Sequence, residues 1–443
     1  MVIHPVLLIA VPLLFAFLMP LLKRAKAVTI IILLFNTLLA ILMFHNVYNN
    51  GPLYEIIAFS PPIGIYLYVD NIAALLAVMI NLLAFINFLS VEKVEIKFAM
   101  LYLLAVASST GIVITGDIFN MFVFFEIAAV SSYALVAWKR DKEALEGAIK
   151  YMVLGSIASV LMLVGIAFLY SEFRSLNIYD IMNRMDEGSV LILLSFAFLL
   201  TGIGVEAEIF PLNGWVPDAY QGAAGSIASL LSFGPSKAGI YAIARLLMIF
   251  SWQQSYDLAL YVGIITLLIG ELAAFRQENV KRMLAYSSIG QMGLILISLS
   301  MLDSTDYAII AFFFLLVSHA ASKGALFLLS ERKGFGSNAS KYAGIVSVMS
   351  LIGMPPMAGF WGKWYIIMGA MQMEAWWIIA AIVFSSVVEA AYFARYLSTT
   401  IQEEEHASII AAYPPAIMAT LTLLLGILPF IYKIATIGGV ING

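Results

Sequence analysis

The chain has 443 residues, 63% of them hydrophobic and only 11% charged, with a mean hydropathy of +0.99. A soluble globule cannot cover itself from such a composition, so this is an integral membrane protein. The formal net charge of −4, with basic residues spread through short loops, argues against nucleic acid as a partner, and the absence of cysteine excludes disulfides, thiolate metal sites and cysteine-ligated iron–sulfur clusters within this chain. Any redox centre, whether iron–sulfur, flavin or nickel–iron, belongs to a partner subunit, and this chain is expected to carry no cofactor of its own.

A hydrocarbon core about 30 Å thick takes about 20 apolar residues per helix. On that ruler the chain divides into fourteen candidate spans, near 5–22, 28–46, 70–90, 98–115, 119–138, 148–170, 190–216, 226–250, 258–275, 283–300, 306–330, 342–372, 376–398 and 410–432. The first lacks a basic region before its apolar run and a small-residue cleavage site, so it reads as a transmembrane helix, not a signal peptide. Lys23, Arg24, Lys26, Lys93, Lys97, Lys139, Arg140, Lys142, Arg276, Lys281, Arg282, Arg332, Lys333 and Lys341 fall on one side of this arrangement, against Arg174, Arg184 and Lys433 on the other. The positive-inside rule then puts both termini outside the cytoplasm of a cell membrane. The acidic loop Glu403, Glu404 and Glu405 lacks the bias, and acids contribute little to the rule.

Two spans are too long and are interrupted. The run 190–216 contains Pro211 and Gly214, and 342–372 contains Gly353, Pro355, Pro356, Gly359 and Gly362. Proline removes a donor and clashes with the preceding turn, so each is expected to split into half-helices around a buried polar segment. Interrupted helices at corresponding places in two halves point to a transport site between inverted repeats. The breaks fall in the seventh and twelfth spans, and five spans per repeat, an odd number, forces the second half to be inverted.

Ionisable residues sit inside these apolar spans: Glu126, Lys150, Glu206, Lys237, Glu271, His319, Lys323, Lys363 and Glu389. A charge at bilayer depth costs roughly 2.5–3.5 kcal/mol even on the lenient insertion scale, so such groups face an interior, pair, and mark an ion path. His319 and Lys323 are four apart and share a helical face. Histidine titrates near physiological pH and suits a proton relay. Lys237 lies mid-span after Gly234 and Pro235, which can open the backbone, and Lys363 directly follows the second break between tryptophans. Tyr286, Ser287, Ser288 and Gln291 form a polar stripe that suits either a water chain or helix-packing hydrogen bonds. Lys150, at the start of the sixth span, either feeds a channel or anchors at the interface. His4, His45 and His406 lie near span ends or in loops and take no role. No phosphate-binding loop, dinucleotide glycine fingerprint or zinc spacing is present, which argues against nucleotide hydrolysis or hydride chemistry in this chain.

Five stretches carry a family resemblance: FVFFE at 122–126, GIGVEAEIFPLNGWVPDAY at 202–220, NVKRMLAYSSIGQMG at 279–293, VSHAASKGALFLLSE at 317–331 and GMPPMAGFWGKW at 353–364. In order and spacing they resemble the antiporter-like membrane subunits shared by respiratory complex I, Mrp-type Na⁺/H⁺ antiporters and membrane-bound hydrogenases. The resemblance implies an all-α fold of fourteen helices. Spans 1–3 occupy 1–97, a first inverted repeat of spans 4–8 occupies 98–250, a second of spans 9–13 occupies 256–398, and span 14 with the C-terminus occupies 399–443. It implies two half-channels translocating protons or Na⁺, beside other antiporter-like and small hydrophobic subunits. Glu126 corresponds to the glutamate that gates the first half-channel, Lys237 to the lysine linking the halves, His319 and Lys323 to the central pair, and Lys363 to the lysine at the exit.

Glu206 departs from the family pattern, which has a lysine there paired with the glutamate of the fifth span. Two carboxylates in a low-dielectric site cannot both ionise cheaply, so one holds a proton or a cation bridges them. The first half is then disabled, or runs with reversed charge using Lys237, or binds Na⁺ near Glu126 and Glu206. Glu208, two residues on, points to a different side of its helix. Glu271 and Glu389 are further buried acids outside the general family pattern. Three accounts of the whole chain compete: a pump arm of a redox-driven complex, a subunit of a standalone Na⁺/H⁺ antiporter, and a passive spacer.

Overall fold

A computed structural model describes residues 4–57, 59, 64–185, 189–331, 334–400 and 409–428. Arg332, Lys333, Glu403, Glu404, Glu405, His406 and Lys433 lie outside the described residues. The chain is a predominantly helical membrane protein. Among the described residues, nine helices are long and apolar enough to cross a bilayer, and shorter apolar helices lie at Leu7–Leu21, Val190–Glu206 and Ala412–Ile427.

The helices are α1 Leu7–Leu18, α2 Ala25–Asn50, α3 Asn71–Leu89, α4 Ile96–Ile114, α5 Ile118–Val136, α6 Lys142–Phe173, α7 Ile178–Asn183, α8 Val190–Glu206 and α9 Val216–Gly222. They continue with α10 Gly225–Phe233, α11 Pro235–Ile249, α12 Gln253–Phe275, α13 Val280–Ser300, α14 Tyr307–Leu329, α15 Asn338–Ile352, α16 Ala358–Gln372, α17 Trp376–Thr400 and α18 Ile409–Ile427. Several begin on a side-chain cap that satisfies a first-turn donor: Asp70 accepts from Ala73 N, Asp117 from Asn120 N and Asp141 from Ala144 N.

One element departs from the all-α expectation. Between α2 and α3 an antiparallel hairpin pairs β1, Leu53–Ile57, with β2, Ile65–Val69, in the register Leu53↔Val69. Both strands alternate side chains between faces over only five residues, too short a period to stand out beside long apolar runs.

The interrupted spans break where proline and glycine crowd. Helix α8 stops at Glu206, and residues 207–215 run irregularly, with a cis Phe210–Pro211 bond, before α9. The freed backbone groups find partners, as buried irregular backbone must: Phe210 N donates to Thr266 Oγ1 at 3.3 Å and the Trp215 indole to Val205 O at 3.1 Å. Helix α15 ends in left-handed Gly353 (φ 87°), where Gly353 N and Met354 N fold back onto Met349 O. A cis Pro355–Pro356 bond precedes α16. A third discontinuity, at Gly234, separates α10 from α11.

Helices α13 and α14 form the centre and are buried along nearly their whole lengths. Helices α2, α6, α12 and α17 present apolar faces outward, through residues such as Ile31, Leu38, Ile157, Val160, Ile265 and Val387. Helices α12 and α13 meet backbone to backbone: a methyl group on Gly270 would collide with Gly290 N, and one on Gly293 would collide with Leu267 N. Such small-residue seams let transmembrane helices approach closely.

Candidate functional site

The ionisable residues form three linked groups in the interior. In the first, Ser159 Oγ on α6 donates to Glu126 Oε1 on α5, and the Tyr151 hydroxyl donates to Glu206 Oε2 at 2.7 Å. Tyr151 is held by stacking on Trp215 with centroids 3.5 Å apart, and Tyr133 meets it edge-on. Glu126 and Glu206 act electrostatically on each other and both act on Tyr133. Two carboxylates therefore share this pocket, with hydroxyls as their direct partners. Lys150 lies elsewhere, exposed, bonded to Glu146 at 2.6 Å and Asp218 at 2.7 Å.

The second group spans the middle. Glu208 sits in the break after α8 with a left-handed backbone (φ 61°), fully buried, and accepts from the Tyr220 hydroxyl at 2.5 Å. The charge of Lys237 on α11 acts on it more strongly than that of Lys323, and the buried Lys237 Nζ lies 3.2 Å from Ser236 Oγ and 3.3 Å from Met292 Sδ. His319 is buried on α14, neither ring nitrogen has a hydrogen-bond partner among the described residues, and the charges of Lys237 and Lys323 both reach it. Lys323 Nζ donates to Leu284 O at 2.9 Å and faces the Phe393 ring at 5.6 Å.

The third group joins five helices. Lys363 Nζ pairs with Glu389 Oε2 at 2.7 Å and also donates to Ser386 Oγ at 3.1 Å and to Ile352 O at 3.0 Å, the last residue of α15. The broken helix thus lends a terminal carbonyl to the ammonium, where the helix dipole favours a cation. Glu389 Oε1 accepts from Gln291 Nε2 at 2.7 Å, and the Tyr392 hydroxyl touches Glu271 Oε2 at 2.9 Å and Ser287 Oγ at 2.6 Å. Ser287 and Gln291 of the polar stripe face this group, while Tyr286 packs under Arg282 instead.

The basic end of the bundle is tied by two acidic hubs. Asp218 receives Lys150 and, at 2.5 Å, Arg282 Nη1; burial raises its carboxyl group, but these two cations outweigh that and hold it below the usual range. Glu331 accepts from Lys281 at 2.5 Å, Lys139 at 3.3 Å and Gly225 N at 2.5 Å, with the same result. At the opposite end Arg245 faces Asp70 at 3.3 Å beneath the Tyr68 and Tyr241 rings, at the floor of a cavity of about 520 Å³.

Sequence reasoning singled out the ionisable residues but not their hydroxyl partners Ser159, Tyr151, Tyr220, Tyr392 and Ser386, nor the direct Lys363–Glu389 pair. Ser386 and Tyr392 carry a local signal, three residues before and three after Glu389 on one helical face. Among the described residues no three carboxylate or imidazole groups converge as metal ligands.

Residues 115–389, which include the glutamates, lysines and histidine of all three groups described above, match the transmembrane family model of NADH:quinone oxidoreductase and Mrp antiporter subunits. The chain belongs to that family. Among its relatives, NADH-quinone oxidoreductase subunit N of Desulforudis audaxviator is 29% identical over 377 residues, 78% of this chain and 74% of that one. A Na⁺/H⁺ antiporter subunit of Alkalihalophilus pseudofirmus is 31% identical over 373 residues, 78% and 75% respectively. A chain of the archaeal membrane-bound sulfane sulfur reductase, a respiratory membrane complex, superposes with a TM-score of 0.90 at 35% identity, covering 98% of this chain and 96% of that one. A chain of Thermus thermophilus respiratory complex I gives 0.83 at 25% identity, with 98% and 100% covered. A chain of the Dietzia Mrp complex gives 0.90 at 22% identity, with 99% and 97% covered, a likeness of fold. Every one of these relatives is a subunit of a multisubunit membrane assembly.

Proposed function

We propose that this family member is the ion-translocating, antiporter-like subunit of a multisubunit membrane complex related to complex I, moving protons or Na⁺ while redox cofactors reside in partner subunits. The observation that carries the proposal is the succession of interior ionisable groups: partly buried Glu126 with buried Glu206, then buried Glu208 beside Lys237, His319, Lys323, and Lys363 with Glu389. Each lies within electrostatic reach of a neighbour, and where water is scarce a change of charge at one biases proton occupancy at the next. In this reading the fold has fourteen spans in two inverted repeats, 98–250 and 256–398, the basic end faces the cytoplasm, and both termini face outward.

For the first half, Glu208 beside Lys237 favours reversed charge logic: the acid–base pair of this half is Glu208 with Lys237, and Glu126 with Glu206 is an acidic gate. The experiment is proton movement into liposomes by the reconstituted complex. Lys363→Ala abolishes pumping while the complex still assembles; full proton movement by that variant removes the assigned exit. Loss of pumping in Lys237→Ala rules out the passive spacer. The Na⁺/H⁺ antiporter alternative rests on the Alkalihalophilus relative. Gentle purification from native membranes with mass-spectrometric identification of companions separates the two: subunits with iron–sulfur, flavin or nickel sites indicate a redox-driven pump, and small hydrophobic companions alone indicate the antiporter. The Na⁺ reading at Glu126 and Glu206 predicts that Glu206→Gln alters the Na⁺ dependence of transport.

A further inference from the structure

Glu271 is the one acid of the third group whose charge has no direct counterion. It is 1% exposed, its Oε2 contacts Tyr392, and its Oε1 is buried with no hydrogen-bond partner among the described residues. Tyr392 has a single hydroxyl hydrogen, so when it donates to Glu271, its oxygen receives the hydrogen of Ser287 at 2.6 Å. That arrangement leaves the lone pairs of Glu271 Oε1 open. This oxygen lies against the backbone of α13 at Gly290, where an added methyl group would collide with it. Gly290 is flanked on the same helix by Ser287, one turn before, and by Gln291, whose amide holds Glu389 Oε1 at 2.7 Å. Glu271 and Glu389 act on each other electrostatically, and among the described residues the one ammonium in contact with either is Lys363, on Glu389.

A buried carboxylate without a counterion is strongly unfavourable. The available ligands are oxygens, from two carboxylates, a hydroxyl and an amide, a set that suits a hard cation. Among the described residues no third carboxylate or imidazole joins them, which fits a single positive charge better than a divalent ion. We propose that Glu271, with Glu389, Ser287 and Gln291, forms a Na⁺ site in the second half, and that Lys363 competes with the ion for Glu389. This rests on the ion-translocation reading and adds to it a place where Na⁺ enters and an ammonium that must yield. It also moves the Na⁺ site from the pocket of Glu126 and Glu206, where neither carboxylate has an oxygen that, like Glu271 Oε1, is buried without a hydrogen-bond partner among the described residues.

The experiment uses the full-length chain in its purified complex, titrated with NaCl against KCl at constant ionic strength, and reads ²³Na NMR line broadening and thermal stability. Wild type responds to Na⁺ and not to K⁺; Glu271→Gln, close in shape, loses the response, and Glu206→Gln keeps it. Lys363→Ala binds Na⁺ at least about tenfold more tightly, equivalent to about 1.4 kcal/mol, because Glu389 is freed. This variant decides the matter even if Glu271→Gln fails to fold. The site is overturned if wild type shows no Na⁺-specific response, if the response follows Glu206 instead of Glu271, or if Lys363→Ala leaves the affinity unchanged. Proton movement into liposomes, measured on the same preparations, tests the broader reading separately: a pump sensitive to Lys363→Ala with no Na⁺ response removes the site and leaves the function standing.

Discussion

The pair of Lys363 and Glu389 lends itself to a double-mutant cycle. The two side chains are 9% and 1% exposed and 2.7 Å apart, so solvent screening is small. At an effective dielectric near 20, unit charges at this separation attract by about 6 kcal/mol, against a desolvation penalty of several kcal/mol per ion. The net value of the pair is therefore modest, whereas removal of one partner strands the other. Lys363→Met leaves Glu389 with Gln291 as its remaining donor, and Glu389→Gln leaves Lys363 with Ile352 O and Ser386 Oγ. Each single substitution is expected to destabilise the fold by about 3–5 kcal/mol, and the double variant by much less than the sum, a coupling above ~2 kcal/mol. Reversible unfolding in mixed detergent micelles measures all four corners of the cycle. Additive single effects, with coupling below ~0.5 kcal/mol, would refute the claim that the charges are directly paired.

Further expectations concern other parts of the molecule. Burial pushes the carboxyl group of Glu331 up, but Lys281, Lys139 and Gly225 N outweigh that and hold it below its usual range, so its stabilisation is complete above about pH 4.3 and is lost as the pH falls through the depressed folded value. Glu331→Gln should flatten that acid-side loss in melting curves recorded from pH 7 to pH 3, while costing no more than about 1 kcal/mol at neutral pH, since the side chain is 40% exposed and screened. Arg245→Met strands Asp70 at the opposite end of the bundle and is expected to cost about 3 kcal/mol in the same unfolding assay, with Asp70→Asn in that background restoring part of the loss. Tyr151→Phe preserves the stack on Trp215 but takes the hydroxyl group from Glu206, so stability should fall by about 1–3 kcal/mol. If the first half conducts, the same variant slows proton movement into liposomes; an unchanged rate means that the pocket of Glu126 and Glu206 is off the path.

How much of this was legible in the sequence follows from the range of the forces involved. The long helices and the two breaks were readable because apolar length and the chemistry of proline and glycine are local; Pro211, Gly353 and Pro355 act within their own turns. The membrane interior also marks its ionisable residues by their expense, which is why Glu206, Lys237, His319 and Lys363 stand out from the sequence alone. Their partners were hidden because pairing crosses distant helices: Gln291 reaches Glu389 across 98 positions and Tyr392 reaches Glu271 across 121. Hydroxyl groups such as Tyr151 and Ser159 look like ordinary packing residues until a carboxylate is set against them. Glu208 was obscured for a different reason: its direction is fixed by a left-handed backbone inside the break, not by the helical periodicity that precedes it.

The glycine seam between α12 and α13 constrains the packing around Glu271, Ser287 and Gln291. With Gly270 against Gly290 and Gly293 against the backbone of Leu267, the two helices meet main chain to main chain with no room for a side chain between them. Glu271, Ser287 and Gln291 therefore ride on one tightly packed rail, with Lys363 and Glu389 across from them on α16 and α17. If ions pass beside these residues, as proposed above, side-chain rotation and displacement of α16 and α17 against the rail are the motions this packing leaves open. Larger residues along the seam should interfere with those motions by prying the rail apart, even where they touch no charged group.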